Sequence, residues 1–426
     1  MLGTYRINEE EIDSLDLKSL IISRGIKVSN RVYEKFGETK RIYPDPLTCN
    51  CFLLPDQTVV QMTDVALHLK YVKSAISLEN LKQMKYFFQI STPFRLDISD
   101  SGKAAVFHDR EQITEVDFPS ASHFYEQITS AGLPYLGNAV LQGTEWLSFQ
   151  CLWACDYAKA GYPCQFCYSG MVFEQAAKKH KPLPPTVSTQ DVVEITDYAI
   201  KKEKSAKSIQ LTGGSTMNPQ AECDQVKNYL ECLDSSVGLK NIHEVLVYTT
   251  PPSDPKVIDR VFAAGADKVA CSLEVWDEEL AKIITPGKWK YTGRKRHLDC
   301  LRYISKEYGP NKACSTFVVG VEPAESYLAG AEYLASEGIV PIASVWIPFG
   351  RPVMGKAQAP GLEYYRKIKE GLADIYVRYD IEPPGGLGLN VCLCRDAWNH
   401  RSEILTNSGK ECCSSKAPSK LISINT

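Results

Sequence analysis

The stretch "SFQCLWACDYAKAGYPCQFCYSG" runs from Ser148 to Gly170 and gathers four thiols: Cys151, Cys155, Cys164 and Cys167. Thiolates are soft donors, suited to zinc or to iron–sulfur clusters. A structural zinc site closes on four ligands, and four thiols are present, so spacing alone admits zinc. Three features favour iron and sulfur. The last pair is Cys-Gln-Phe-Cys followed by Tyr168, which sets apolar shielding beside the thiols. The loop follows a short apolar strand and is longer than the ribbon of a structural zinc site. Downstream, several strand ends carry groups able to hold a small polar cofactor.

The elements that must position this loop follow a rhythm. "EWLSF" (145–149), "KSIQL" (207–211), "HEVLVY" (243–248), "DKVACSL" (267–273), "ACSTFVV" (313–319) and "IVPIASV" (339–345) are strand-like runs. Helical patterns separate them. In "STQDVVEITDYAIKK", Ser188 is placed to cap the first turn, and Val192, Ile195 and Ala199 share a stripe. "DPKVIDRVFAAG", "KRHLDCLRYISKEYG" and "AESYLAGAEYLASEG" each end on a glycine suited to stop a helix. Strand-helix units in series predict an α/β fold with parallel strands, as a barrel or an open sheet, and chemistry at their carboxyl ends. Residues 1–140 read differently. "CNCFLLPDQTVVQM" and "RLDISDSGKAAVFHD" each pair two apolar runs around a turn, which predicts an N-terminal α+β accessory domain. "AGLPYLGNAVLQG" (131–143) is the expected linker, residues 141–400 the expected barrel, and 401–426 an expected polar, mobile tail.

Composition narrows the function classes. A net charge of −3 over 426 residues gives no electrostatic reason to expect nucleic acid or an anionic membrane as partner. No apolar run is long enough to span a bilayer, and the polar, acidic N-terminus does not read as a secretory signal. The expected location is cytoplasmic. In such a reducing compartment 15 cysteines point to metal or redox chemistry more than to disulfides. Cys223, Cys232, Cys271, Cys300 and Cys314 stand singly and read as small buried hydrophobes. Cys392 and Cys394, with Cys412 and Cys413, are candidates for an auxiliary iron–sulfur or zinc site, and Cys49 and Cys51 repeat the Cys-x-Cys spacing. The seven histidines show no metal-binding spacing.

The cysteine loop resembles the radical S-adenosylmethionine (SAM) superfamily, whose usual signature is Cys-x3-Cys-x2-Cys after the first barrel strand. Within it, "LSFQCLWAC" is similar to the biotin synthase and lipoyl synthase branch. That match selects Cys155, Cys164 and Cys167 as ligands, in a Cys-x8-Cys-x2-Cys spacing five residues longer than usual. Cys151 is left as a spare thiol or as a replacement for Cys155. The resemblance continues over about 145–355. "CSLEVWDEELAKIITPGKWKYTGRKRHLDCLRYI" (271–304), "TFVVGVEPAES" (316–326) and "PIASVWIPFGRPVMG" (341–355) are similar to the branch's fourth, fifth and sixth strand ends. "LTGGSTMNP" (211–219) stands where many members have Gly-Gly-Glu, with Ser215 in place of the acid.

The resemblance implies a (β/α) partial or full barrel holding a [4Fe–4S] cluster on three thiolates. It also implies SAM chelated to the fourth iron and reductively cleaved to a 5′-deoxyadenosyl radical. Hydrogen would then be abstracted from a small-molecule or carrier-bound substrate, with sulfur insertion, rearrangement or bond cleavage to follow. A flavodoxin- or ferredoxin-type protein would donate the electron. Gly213 and Gly214 would let backbone approach the methionyl part. Ser272 and Glu274 would meet the ribose hydroxyls or the ammonium, and Arg294 or Arg296 the carboxylate. Val319 and Gly320 would seat the adenine. A radical SAM methyltransferase is the rival within enzymes; a non-catalytic zinc or iron–sulfur scaffold, or an electron carrier, is the rival outside them. Each downstream residue alone is ordinary: paired glycines are usually a turn, and a strand acid is usually an ion-pair partner. Their order behind the cysteine loop is what gives them weight.

Overall fold

The computed structural model describes residues 1–45, 47–65, 92–149, 152–167, 187–347, 354, 358–385 and 391–409. The chain opens with an antiparallel hairpin, β1 (Thr4–Ile7) and β2 (Glu10–Asp13). Asp13 then caps α1 (Ser14–Arg24) in a reciprocal capping box with Asp16. β3 (Lys27–Val28) and α2 (Asn30–Phe36) follow. The two paired runs seen in the sequence form hairpins, β4 (Cys51–Leu53) with β5 (Val59–Gln61), and β6 (Phe94–Ile98) with β7 (Ala104–His108). β8 (Glu111–Glu115) completes a four-stranded sheet in the order β3-β6-β7-β8.

Seven strands make the second sheet. β9 (Val140–Gln142) lies antiparallel at one edge, beside β10 (Trp146–Phe149). The cysteine loop follows, with its one-turn helix α3 (Asp156–Lys159), and then α4 (Thr189–Asp197). β11 (Ser208–Leu211), α5 (Pro219–Ser236), β12 (Val245–Tyr248), α6 (Asp259–Ala263) and β13 (Lys268–Ala270) continue the alternation. Beyond them come α7 (Glu278–Ile284), α8 (Gly293–Tyr308), β14 (Ala313–Val319), α9 (Ala324–Ser336) and β15 (Val340–Val345). β10 to β15 are parallel neighbours in sequence order, and β9 and β15 are the sheet's two ends, so the barrel is partial. All six predicted strand runs are strands of this sheet, and Ser188 caps α4 in a capping box with Asp191.

Strand alternation gives the sheet two chemically different faces. Leu147, Phe149, Ile209, Leu211, Val245, Val247, Val269, Phe317 and Val319 share one face by register, and all are buried. Ser148, Gln210, Tyr248 and Thr316 lie on the other. An apolar face suits the covering helices, and the polar face lines the concave interior. Three more helices end the described chain: α10 (Leu362–Arg378), α11 (Cys394–Asn399) and α12 (Arg401–Asn407). Residues 401–407, which the sequence assigns to a mobile tail, are therefore helical, and Ile404 and Leu405 are buried. One hydrophobic core runs from Leu2 to Leu405, so the N-terminal elements and the barrel share it. No described helix is long and apolar enough to cross a membrane.

Candidate functional site

The cysteine loop sits at the carboxyl end of β10, and three neighbouring segments fix it. Leu152 N donates to the Thr212 carbonyl (2.9 Å) and Asp156 N to that of Ser215 (2.8 Å), tying the loop to the exit of β11. Cys155 stands just before α3, where its carbonyl accepts from Lys159 N at 3.1 Å. Cys164 and Cys167 share a tight turn, Cys167 N donating to the Cys164 carbonyl at 3.3 Å. Gln165 N donates to the Ile284 carbonyl at 2.8 Å, pinning the turn to the end of α7. Phe166 packs against a small apolar cluster that includes Val275, Ile284, Val318 and Trp346. Phe166 of the expected shielding pair is therefore part of an apolar wall, and Tyr168 lies outside the described residues.

Cys155, Cys164 and Cys167 are all half-buried. The Cys164 thiol is held well above the usual thiol range. Burial is the main cause; Cys167, Glu274 and Cys155 add to it, and Lys288 opposes it. Three thiols therefore sit in one electrostatic neighbourhood, and metal binding would have to displace their protons. Among the described residues no three His, Cys, Asp or Glu side chains close on a single ion. Cys151 lies outside the described residues, so the alternative between Cys151 and Cys155 stays open here.

Gly213 and Gly214 have a structural reason to be glycines. A Cβ on Gly213 would fall 2.1 Å from the Trp153 indole, and one on Gly214 would fall 2.3 Å from Cys155 Cα. Trp153 Nε1 donates to the Gly214 carbonyl at 2.6 Å, and Gly214 N donates to the Trp153 carbonyl at 3.0 Å. The pair forms a backbone cradle against the cysteine loop. Ser215 contributes its carbonyl to Asp156, whose carboxylate also accepts from Thr216 Oγ1 and Met217 N, each at 3.0 Å.

Ser272 and Glu274 lie past the end of β13. Ser272 is buried and its Oγ has no partner among the described residues. Glu274 has φ 71°, a left-handed conformation uncommon for a side chain of this kind, and such strain concentrates at functional sites. Lys288, which opens a π-helical turn (Lys288–Thr292), donates to the Ser272 carbonyl and to Glu274 Oε1, both at 2.7 Å. Past this point Glu322 carboxylate oxygens accept from Trp276 N and Asp277 N, each at 2.9 Å, and so lock the turn that follows Glu274.

Arg294 is already committed: its guanidinium lies over the Trp276 ring, donates to the Trp276 carbonyl and pairs with Glu278 at 3.1 Å. Arg296 is half-buried, and its charge reaches the Tyr157 hydroxyl and His297. Val319 lies on the helix-facing side and is fully buried, so its side chain does not turn toward the cysteine loop. Its neighbour Val318 does, joining the cluster that holds Phe166. One residue along a strand changes the face. Gly320 follows at the strand end, its N accepted by Tyr364 Oη at 3.0 Å.

Several site residues escaped the sequence. Lys288 and Trp153 gave no signal of their own. Gln210, Tyr248 and Thr316 gave one: each is a polar residue at an alternate position of an apolar run. Thr316 Oγ1 donates to Tyr248 Oη at 3.4 Å, and Gln210 Oε1 is buried without a partner among the described residues. The second cluster of candidate ligands fares otherwise. Cys392 and Cys394 are buried and joined in a disulfide, so in this form neither offers a thiolate; Cys412 and Cys413 lie outside the described residues. Of the single cysteines, Cys223, Cys271, Cys300 and Cys314 are buried as expected, whereas Cys232 is exposed.

Residues 155–325 match the Radical SAM superfamily, a range that opens on Cys155. Among curated proteins, bacteriochlorophyllide c C-7(1)-hydroxylase of Chlorobaculum limnaeum is 22% identical over 294 residues, covering 67% of this chain and 73% of that one. Solved structures with similarity include coproporphyrinogen III oxidase (HemN) from Escherichia coli, at 14% identity and a TM-score of 0.29. That match covers 41% of each chain, less than half the oxidase's length. Methylornithine synthase (PylB) is also similar, at 14% identity and a TM-score of 0.42, over 65% of this chain and 72% of the other.

Proposed function

We propose that the chain is a radical SAM enzyme, its matching region spanning residues 155–325, and that Cys155, Cys164 and Cys167 hold a [4Fe–4S] cluster on which SAM is bound. The observation that carries this is the neighbourhood of those thiols: one loop at the carboxyl end of a parallel strand, against the Gly213–Gly214 backbone. The donor set fits. Three soft thiols are present, an orphaned Ser272 Oγ lies buried beyond β13, and Gly214 brings backbone against Cys155. When bound, the cluster and SAM supply a 5′-deoxyadenosyl radical by one-electron cleavage of the C5′–S bond.

The chain's own residues bind and exclude. Gly214 N and the carbonyls of Gly214 and Ser215 bond to the loop, and Gly213 and Gly214 leave room only for backbone. Glu274 presents its second carboxylate oxygen, and Ser272 its hydroxyl, to ribose hydroxyls or an ammonium. Arg296 is better placed than Arg294 to meet a carboxylate, because Trp276 and Glu278 already engage Arg294. Val318, Val275 and Phe166 supply apolar wall. The substrate is a small or carrier-bound molecule. The curated relative is a hydroxylase, which supports an outcome in which a C–H bond becomes a carbon–heteroatom bond. A flavodoxin- or ferredoxin-type protein would deliver the electron.

Anaerobic reconstitution tests the assignment. The wild type should bind about four irons per chain and release 5′-deoxyadenosine when given dithionite and SAM. Cys155→Ala, Cys164→Ala and Cys167→Ala should each lose the iron–sulfur absorbance and the cleavage, and Cys151→Ala should keep both. A dead Cys151→Ala beside an active Cys155→Ala would shift the ligand register by one cysteine. Stoichiometric zinc in place of iron would remove the radical chemistry altogether.

A further inference from the structure

Lys288 is a charge for which the fold makes unusual provision. Its side chain is 15% exposed and that of Glu274 is 14% exposed. Taking a lysine out of water costs several kcal/mol unless its donors are satisfied and an opposite charge is near. Both conditions are met, by the Ser272 carbonyl and by Glu274 Oε1. An ordinary surface ion pair would need neither. The turn that carries Lys288 lies against the cysteine loop: a Cβ on the adjoining Gly287 would fall 2.4 Å from the Tyr162 carbonyl oxygen and 2.6 Å from Tyr157 Cβ, and the charges of Lys288 and Glu274 act on Cys164 with opposite signs. The backbone bond from Gln165 to Ile284 fixes the loop and the Lys288 turn relative to each other.

We propose that Lys288 and Glu274 form a charge-setting pair for the cluster, with Lys288 as the positioning residue. Lys288 holds the Glu274 side chain in place beyond β13, and its ammonium sets a positive charge, opposed by Glu274, beside the Cys164 ligand. This rests on the reading that Cys155, Cys164 and Cys167 hold the cluster. Reduction adds one electron to the metal site and its thiolates, so a nearby positive charge favours the reduced form and a negative charge opposes it. In low dielectric, such charges act strongly. The two residues must therefore shift the reduction potential in opposite directions when each is neutralised. A purely packing role has no such sign.

The test uses anaerobically reconstituted full-length chains without SAM, titrated with dithionite and mediators and followed by electron paramagnetic resonance of the reduced cluster. Iron and sulfide are counted alongside. Lys288→Met should lower the reduced fraction at fixed potential about tenfold, which is about 59 mV for one electron. Glu274→Gln should raise it, and Lys288→Arg should restore the wild-type midpoint. If all chains load iron and their midpoints coincide, or both neutral variants move the same way, the pair's role is overturned and the cluster assignment stands. If the wild type loads no cluster, that assignment falls and the pair falls with it. Should Lys288→Met fail to fold, Glu274→Gln decides alone, and an unchanged or lowered midpoint overturns the proposal.

Discussion

His297 shows how much one buried side chain can say about the pH range of the fold. It is 3% exposed, its Nδ1 lies 2.9 Å from the Gly293 carbonyl, and it lines a small cleft with Lys288, Trp289 and Arg294. Burial holds its pKa down at about 3, and the charges of Lys288 and Arg296 press the same way. The folded imidazole is therefore neutral where the unfolded one protonates, near 6.5. Stability from this group is complete above pH 6.5 and falls as pH drops toward 3, because the unfolded chain then binds the extra proton. The slope is about 1.4 kcal/mol per pH unit and the total about 5 kcal/mol at most. His297→Phe should remove that slope at a cost of about 1 kcal/mol at neutral pH for the lost hydrogen bond. Urea midpoints measured between pH 7.5 and 5 check it: parallel curves for the two proteins would show that the histidine is not the titrating group.

At the scale of elements, the site depends on two segments meeting: the cysteine loop and the stretch from α7 into the π-helical turn. Gly287 is one point where they approach closely. A Cβ there would fall 2.4 Å from the Tyr162 carbonyl oxygen and 2.6 Å from Tyr157 Cβ, and backbone cannot yield as a flexible side-chain end can. Gly287→Ala should push the loop away and cost about 1–3 kcal/mol in strain. The sheet lies elsewhere, so far-UV circular dichroism should stay unchanged while bound iron falls several-fold. Equal loss of secondary structure would place the defect in the barrel instead. The strands that bring these segments together were legible in sequence because their apolar runs are long and evenly punctuated. Ser188 was legible because caps act within four residues. The partners of Lys288 were not, since nothing local links a lysine in "PGKWKYTG" to a carbonyl sixteen residues earlier. The contacts of Arg294 were hidden for the same reason: its cation–π partner Trp276 lies eighteen residues earlier in sequence. The strand that carries Val319 was legible, but which of its residues meets Phe166 was not: Val318 does, on the opposite face from Val319.

At the scale of the whole molecule, the N-terminal elements are bound into the barrel by charges as well as by apolar packing. Every α1 residue from Ser14 to Ser23 is buried. Lys18, whose side chain is fully buried, pairs with Asp396 of α11 at 2.6 Å. Lys369 of α10 pairs with Asp16 at 2.5 Å and also with Asp13. These contacts span more than 350 residues of chain, so the first helix cannot leave without stranding charges at the far end. Burial raises the Asp396 carboxyl, and Lys18 is the main influence opposing it. Removing one partner of a buried pair costs about 3–5 kcal/mol, whereas replacing both with apolar groups is often neutral. Lys18→Met should therefore destabilise by about that amount. It should also make stability fall more steeply as pH rises from the acid side, since the unpaired Asp396 would fold protonated. Lys18→Met with Asp396→Leu should recover most of the loss. Because one core runs through both parts, far-UV circular dichroism and tryptophan fluorescence should report a single urea transition in every variant. An early step confined to about the first 140 residues would mean that the N-terminal elements fold as a separate unit, and the charge pair would then measure docking between two bodies.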